Sequence, residues 1–143
     1  MKKYILSSLF VTFLMSADAQ DIVTYVQTEC TVAGSQYGSS VMYETRSKWS
    51  VGIFYQAELA TRSEDYSGKD NFLGLTFQAP LAKSKKLSFF GQLRSGLVNS
   101  QFVVVVPGLE TRLNLTPRLG TAFGMSLRMG YPSVSGKIFL SLF

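Results

Sequence analysis

With 143 residues the chain is long enough for one domain and too short for two comfortable ones. Its hydrophobic fraction of 46%, low charged fraction of 16% and frequent glycine suit an all-β protein rich in turns and exclude a disordered chain. The formal charge of +5 comes from scattered basic residues with no nucleic-acid-reading motif beside them, so no nucleic-acid partner is expected.

In chain order, residues 1–19 read as a cleaved signal peptide. Lys2 and Lys3 give a positive start, Ile5–Met15 an apolar centre, and Ala17-Asp18-Ala19 a small-x-small cleavage pattern before Gln20. The apolar centre is about 11 residues, whereas a spanning helix needs about 20. Residues 20–143 then form a single exported domain with no later helix able to cross a membrane, so any insertion has to be by strands.

Extended segments follow one another, separated by turn residues. The first, Val23–Val32, sets Val26, Thr28, Cys30 and Val32 against Tyr25, Gln27, Glu29 and Thr31. Gly34-Ser35-Gln36 reads as a turn, and Tyr37–Arg46 as the second strand, with Gly38, Ser40, Met42, Glu44 and Arg46 on its polar face. After Ser47-Lys48 comes the most informative stretch, Trp49–Leu59. Trp49, Val51, Ile53, Tyr55, Ala57 and Leu59 share one face; Ser50, Gly52, Phe54, Gln56 and Glu58 share the other. Side chains alternate across a strand, so this is an extended segment with one apolar and one largely polar side. Its length is that of a tilted membrane-crossing strand, about 9–11 residues.

Thr61–Asp70 is a long polar loop; its Glu64, Asp65 and Asp70 lack ordered calcium-ligand spacing, and it reads as a solvated surface loop. The fourth strand, Phe72–Ala79, places Leu73, Leu75 and Phe77 on its apolar face. Pro80–Lys86 is a basic connection carrying Lys83, Lys85 and Lys86. The fifth strand, Leu87–Val98, sets Ser88, Gln92 and Arg94 against Leu87, Phe89, Leu93 and Leu97. The sixth, Phe102–Leu113, contains Pro107, which predicts a bulge or a local edge there. Leu119–Gly130, with Phe123 on its apolar face and Arg128 opposite, and Val134–Phe143 complete the set.

A strand crossing lipid needs partners for every backbone group, so the sheet must close. Eight strands with short turns require roughly 110–125 residues, and even strand numbers from eight upward are usual for such barrels. The fold class is therefore an all-β, eight-stranded antiparallel transmembrane barrel, following the signal peptide. Both termini are expected at the periplasmic end, which puts Thr61–Asp70 outside.

Alternation assigns Trp49, Val51, Ile53, Tyr55, Leu73, Leu75, Phe77 and Phe123 to lipid. It assigns Glu29, Glu44, Glu58 and Glu110, with Arg46, Arg94, Arg112 and Arg128, to the interior. An eight-stranded barrel is just wide enough to be filled by side chains, and buried charges must be paired. Glu44, Glu58, Arg94 and Arg128 are expected in one network, more a structural plug than a gate. An arginine at lipid-facing Ile53 is expected to cost more than one at the interior position Gln56. The chain has no histidine and only one cysteine, Cys30, which reads as a small apolar strand residue. That removes the commonest general base, every Ser-His triad and a zinc site. No catalytic residue, metal or cofactor is expected.

With these features the chain resembles the small eight-stranded outer-membrane barrels of the OmpA/OmpX type. It is similar in particular to short barrels of Bacteroidota, whose signal peptides often end as Ala19-Gln20 does here. Gly136, Phe139 and Phe143 match the C-terminal assembly signal of such barrels; Ser141 departs from it at a position that is apolar there. The resemblance implies residence in the outer membrane, contact with its lipid and insertion by the barrel-assembly machinery. It also implies a non-enzymatic structural or accessory role, with a protein partner in an envelope complex. Two alternatives stand beside it. One is a narrow gated pore. The other is a soluble periplasmic barrel binding an apolar ligand, which would turn Trp49, Ile53, Tyr55, Phe77 and Phe123 inward.

Overall fold

The computed structural model describes residues 19–32, 34–61 and 71–142. Residues 1–18, which hold most of the expected signal peptide, residue 33, residues 62–70 of the expected polar loop, and Phe143 lie outside the described residues. Eight strands follow in order: β1 (Ala19–Thr31), β2 (Gly34–Thr45), β3 (Ser50–Thr61), β4 (Asn71–Lys83), β5 (Leu87–Val98), β6 (Phe102–Asn114), β7 (Leu119–Arg128) and β8 (Tyr131–Ser141). Each pairs antiparallel with its sequence neighbour, and β1 pairs with β8 from Val23 opposite Ser141 to Thr31 opposite Ser133, so the sheet closes into a barrel. Closure is what allows a sheet to stand in lipid, since it removes the edges at which backbone groups would lack partners.

The strand limits differ from the sequence reading where ladder pairing outlasts the visible alternation. β5 runs from Leu87 to Val98, as its pattern predicts. β1 starts at Ala19 rather than Val23, because Ala19 and Asp21 pair with Thr45 and Glu44. Gly34-Ser35-Gln36 is not a turn; Thr31 already pairs with Gly34, and these residues open β2. β4 continues past Pro80 to Lys83, with a register shift between Pro80 and Ala82 that accommodates the missing N–H. Asn99, Ser100, Met129 and Gly130 all have positive φ. Two successive left-handed residues give the tight reversal whose twist matches the flanking strands.

Alternation sorts the side chains as the strand pleat requires. Trp49, Ile53, Tyr55, Leu73, Leu75, Phe77 and Phe123 are exposed on the outside, and Val51 is half-exposed on the same face. Trp49 and Phe77 meet at the end where β1 begins and β8 finishes, their rings tilted by 40° with centroids 5.4 Å apart. Tyr37, Phe102 and Tyr131 stand exposed near the far end. This facing is the reverse of what the soluble, ligand-binding alternative requires. Inside lie two apolar clusters. Val23, Tyr25, Met42, Ala122 and Phe139 fill the half nearer the termini. Phe54, Phe72, Val98, Val104 and Val106 fill the other half.

Packing along the inner wall depends on glycine where neighbouring strands approach closely, as at Gly74. Gly74 on β4 pairs with Gly96 on β5, and a Cβ added to Gly74 would stand 2.4 Å from the Gly96 Cα. The obstacle is backbone, which cannot rotate aside. Gly74→Ala is expected to destabilise the barrel by about 1–3 kcal/mol, the usual cost of overpacking. The check is thermal melting in detergent; an unchanged midpoint would mean that β4 and β5 separate freely here.

Candidate functional site: the barrel lumen

The interior is built from the inward residues of all eight strands, and its charges form two clusters stacked along the barrel. In the outer one, Glu29 on β1 faces Arg94 on β5, the strand diametrically opposite in the ring. Arg94 Nη1 donates to Glu29 Oε2 at 2.7 Å and Nη2 to Oε1 at 2.9 Å, a two-pronged pair. Gln56 Nε2 donates to the same carboxylate at 2.7 Å, Ser133 Oγ at 2.6 Å and Ser126 Oγ at 3.2 Å. The Gln56 carbonyl accepts from Arg94 at 3.1 Å. Glu29 and Arg94 are both buried. A carboxylate taken out of water is tolerated because nearly every lone pair finds a donor.

The inner cluster repeats the device one strand on. Arg112 on β6 donates Nη1 to Glu44 on β2 at 2.7 Å, Nε to Glu110 at 3.0 Å, and Nη2 to the Gln78 side-chain carbonyl. β2 and β6 are again opposite strands. Lys137 on β8 donates to the second Glu110 oxygen at 2.5 Å and to Gln92 at 3.3 Å. The Arg112 guanidinium lies 4.0 Å from the Phe90 ring centroid, where the aromatic face replaces part of its hydration. Toward the far end, Arg128 bonds the Gln36 side chain and sits over Phe72, 4.8 Å from its centroid.

At the end with the termini the lumen opens into a cavity of about 400 Å³, lined among others by Asp21, Glu44, Lys48, Lys83 and Ser88 and floored by Arg112. Lys48 has a left-handed backbone (φ 68°) and turns back to bond Glu44 at 2.5 Å. Beyond this mouth the two spanning pairs and the apolar clusters occupy the interior.

Of the residues assigned to the interior from the sequence, Glu29, Glu44, Arg94, Glu110, Arg112 and Arg128 are buried there. Glu58 is half-buried near the far end of β3. Arg46 corrects the reading: it follows the last residue of β2 and is exposed in the turn toward Ser50. Alternation says which way a strand residue faces, not where the strand stops. The single network expected for Glu44, Glu58, Arg94 and Arg128 is also corrected, since Glu44 meets Arg112 while Arg94 meets Glu29. Lys137, Gln78, Ser126 and Ser133 were not singled out by sequence reasoning. The signal for Lys137 was present, because Ser133, Ser135, Lys137, Phe139 and Ser141 alternate along β8 and all are buried.

That alternation also locates the assembly-signal residues. Phe139 points inward, its ring 5.6 Å from that of Tyr25, while Gly136 is on the outward face. Ser141, the departure from the apolar pattern, is buried and lines the mouth. Cys30 is exposed, with its sulfur 3.6 Å from the Ser35 hydroxyl. Among the described residues no group of acidic, cysteine or histidine side chains is placed to hold a metal ion.

A closed antiparallel ring of eight strands, apolar outside and charged within, defines the fold of an eight-stranded transmembrane β-barrel. Solved structures share it. A de novo designed transmembrane β-barrel superposes with a TM-score of 0.73 at 12% identity, over 87% of this chain and 99% of that one. The N-terminal β-barrel domain of Pseudomonas aeruginosa OprF gives 0.70 at 10% identity, over 87% and 98%. The outer-membrane protein Ail of Yersinia pestis gives 0.58 at 11% identity, over 85% and 99%. No protein-family model and no curated protein matches the sequence.

Proposed function

We propose that the chain is an outer-membrane barrel of the cell envelope, and that it serves as a structural or accessory subunit with a plugged lumen. The observation that carries this reading is the pair of ion bridges, Glu29–Arg94 and Glu44–Arg112, each joining opposite strands across a lumen otherwise filled by hydrogen-bonded polar side chains and two apolar clusters. A conducting path needs a wetted column of mobile charge; paired and desolvated charges hold the barrel's register instead. The likeness to the OprF barrel domain and to Ail supports the outer-membrane setting. A non-enzymatic role fits a chain without histidine. Under this proposal residues 1–19 direct export, outer-membrane lipid surrounds Ile53, Leu75 and Phe123, and the barrel-assembly machinery reads the C-terminal segment carrying Gly136, Phe139 and Phe143. Cleavage after Ala19 would leave β1 to begin at Gln20.

Planar-bilayer recording tests the plug directly. The purified barrel is expected to hold conductance at background, and Glu29→Gln is expected to lower its melting temperature without opening a current. Steady current from the unmodified protein would overturn the plug in favour of the narrow pore.

A further inference from the structure

The ladder between β6 and β7 runs from Asn114 opposite Gly120 only as far as Gly108 opposite Ser126. On its other side β6 remains paired with β5 up to Phe102 opposite Val98. The direction of the backbone groups follows from one bond: the Asn114 N–H donates to the Lys86 carbonyl, at 2.9 Å, on the β5 side. Groups alternate along a strand, so Val103, Val105 and Pro107 turn theirs toward the β7 side. Pro107 has no N–H to give, and the ladder stops there. β7 turns back shortly afterwards through Met129 and Gly130. The N–H and C=O of Val103 and Val105 therefore have no ladder partner among the described residues.

The side chains on this edge are as open as its backbone. Val103 is 74% exposed and Val105 54%, and no charged residue interrupts Phe102–Val106. Exposed strand edges are normally blunted by lysine, a bulge or a covering loop, because they template pairing with another chain. An unpaired edge is not tolerated in hydrocarbon, so it stands at or beyond the lipid boundary at the far end.

We propose that this edge of β6 is a docking site for an extended segment of another polypeptide, which adds to it as an antiparallel strand. Main-chain bonds to Val103 and Val105 would supply affinity and alternate side chains specificity. One face of the added strand would lie beside Val103 and Val105. The other would extend the apolar cluster that Val104 and Val106 form with Phe54, Phe72 and Val98. The chemistry that fits is a segment of β-branched or aromatic residues, free of proline. A second barrel is the poorer occupant, an argument that rests on the membrane placement proposed above. Two copies inserted the same way are related by an axis along the membrane normal, so their β6 strands run parallel and neither can reverse.

Amide hydrogen exchange on the unmodified barrel in lipid nanodiscs tests this, with a synthetic octapeptide of alternating threonine and valine as the probe. Without peptide, Val103 and Val105 are expected to exchange fast while Val104 and Val106, bonded to β5, are protected. Peptide is expected to slow Val103 and Val105 by about tenfold or more, and V105P, which removes one edge donor without touching the β5 ladder, to weaken peptide binding by about tenfold. The same peptide with every amide N-methylated is expected to give no protection. Protection of Val103 and Val105 before peptide is added, or exchange unmoved by it, overturns the proposal. Protection that grows with barrel concentration overturns it in favour of a second copy. If these fail while β3 amides remain protected in the nanodisc, the membrane reading survives; loss of β3 protection overturns both.

Discussion

Arg94→Met is expected to destabilise the barrel by about 3–5 kcal/mol, because it strips a buried carboxylate of its cation and leaves it in place. Glu29 is 0% exposed and would keep only Gln56, Ser126 and Ser133 as donors. Those groups are neutral and cannot offset the desolvation of a full charge. Glu29→Leu should cost a similar amount by the opposite route, since it strands the Arg94 guanidinium. The double variant, Glu29→Leu with Arg94→Met, is expected to cost clearly less than the two singles together. Non-additivity of that kind measures direct coupling between residues in contact. Urea unfolding of the refolded protein in detergent gives all the values needed. Additive losses, or a single loss below about 1 kcal/mol, would show that the pair is solvated and does not hold the lumen.

Ile53→Arg should be the costliest change on the outside, at about 2–4 kcal/mol if it lies near the middle of the lipid layer. Ile53 sits midway along β3, between Val41 on β2 and Leu75 on β4, so its neighbours across both ladders are apolar and outward-facing. A guanidinium there has no lumen to enter and no partner to meet. Leu87→Arg, at the first position of β5 and close to the mouth, is expected to cost only about 0–1 kcal/mol. The comparison is best made by unfolding in lipid vesicles. Equal cost at both positions would remove the assignment of this face to lipid. Gln56 is no longer the mild comparison that its polar character implied. It is fully buried between Glu29 and Arg94, and an arginine there would set two cations against one carboxylate.

Facing was readable because it is local. The pleat of Trp49–Leu59 turns Ile53 out and Phe54 in whatever the rest of the chain does, and the same rule sorted Arg94, Glu110 and Arg112 correctly before any partner was known. Pro107 was equally legible, since a residue with no N–H must fall where a ladder ends, and the β6–β7 ladder ends beside it. Strand limits were harder, as Arg46 shows. Whether a polar residue belongs to the last turn of a ladder or to the loop after it depends on how far the neighbouring strand reaches.

What the sequence by itself determined is the class of fold and the side on which each strand residue lies, because both follow from a two-residue period and from the demand that strands in lipid close on themselves. What only the tertiary structure decided is who meets whom. Glu29 could have met any interior arginine. It meets Arg94 because closure places β1 opposite β5, and strand tilt and stagger set their side chains at one height. The same stagger gave Glu44 to Arg112, brought Lys137 to Glu110, and left the far stretch of β6 without a ladder partner on one side among the described residues. Height and opposition are properties of the closed ring, fixed by pairing all around it, and no single strand carries them.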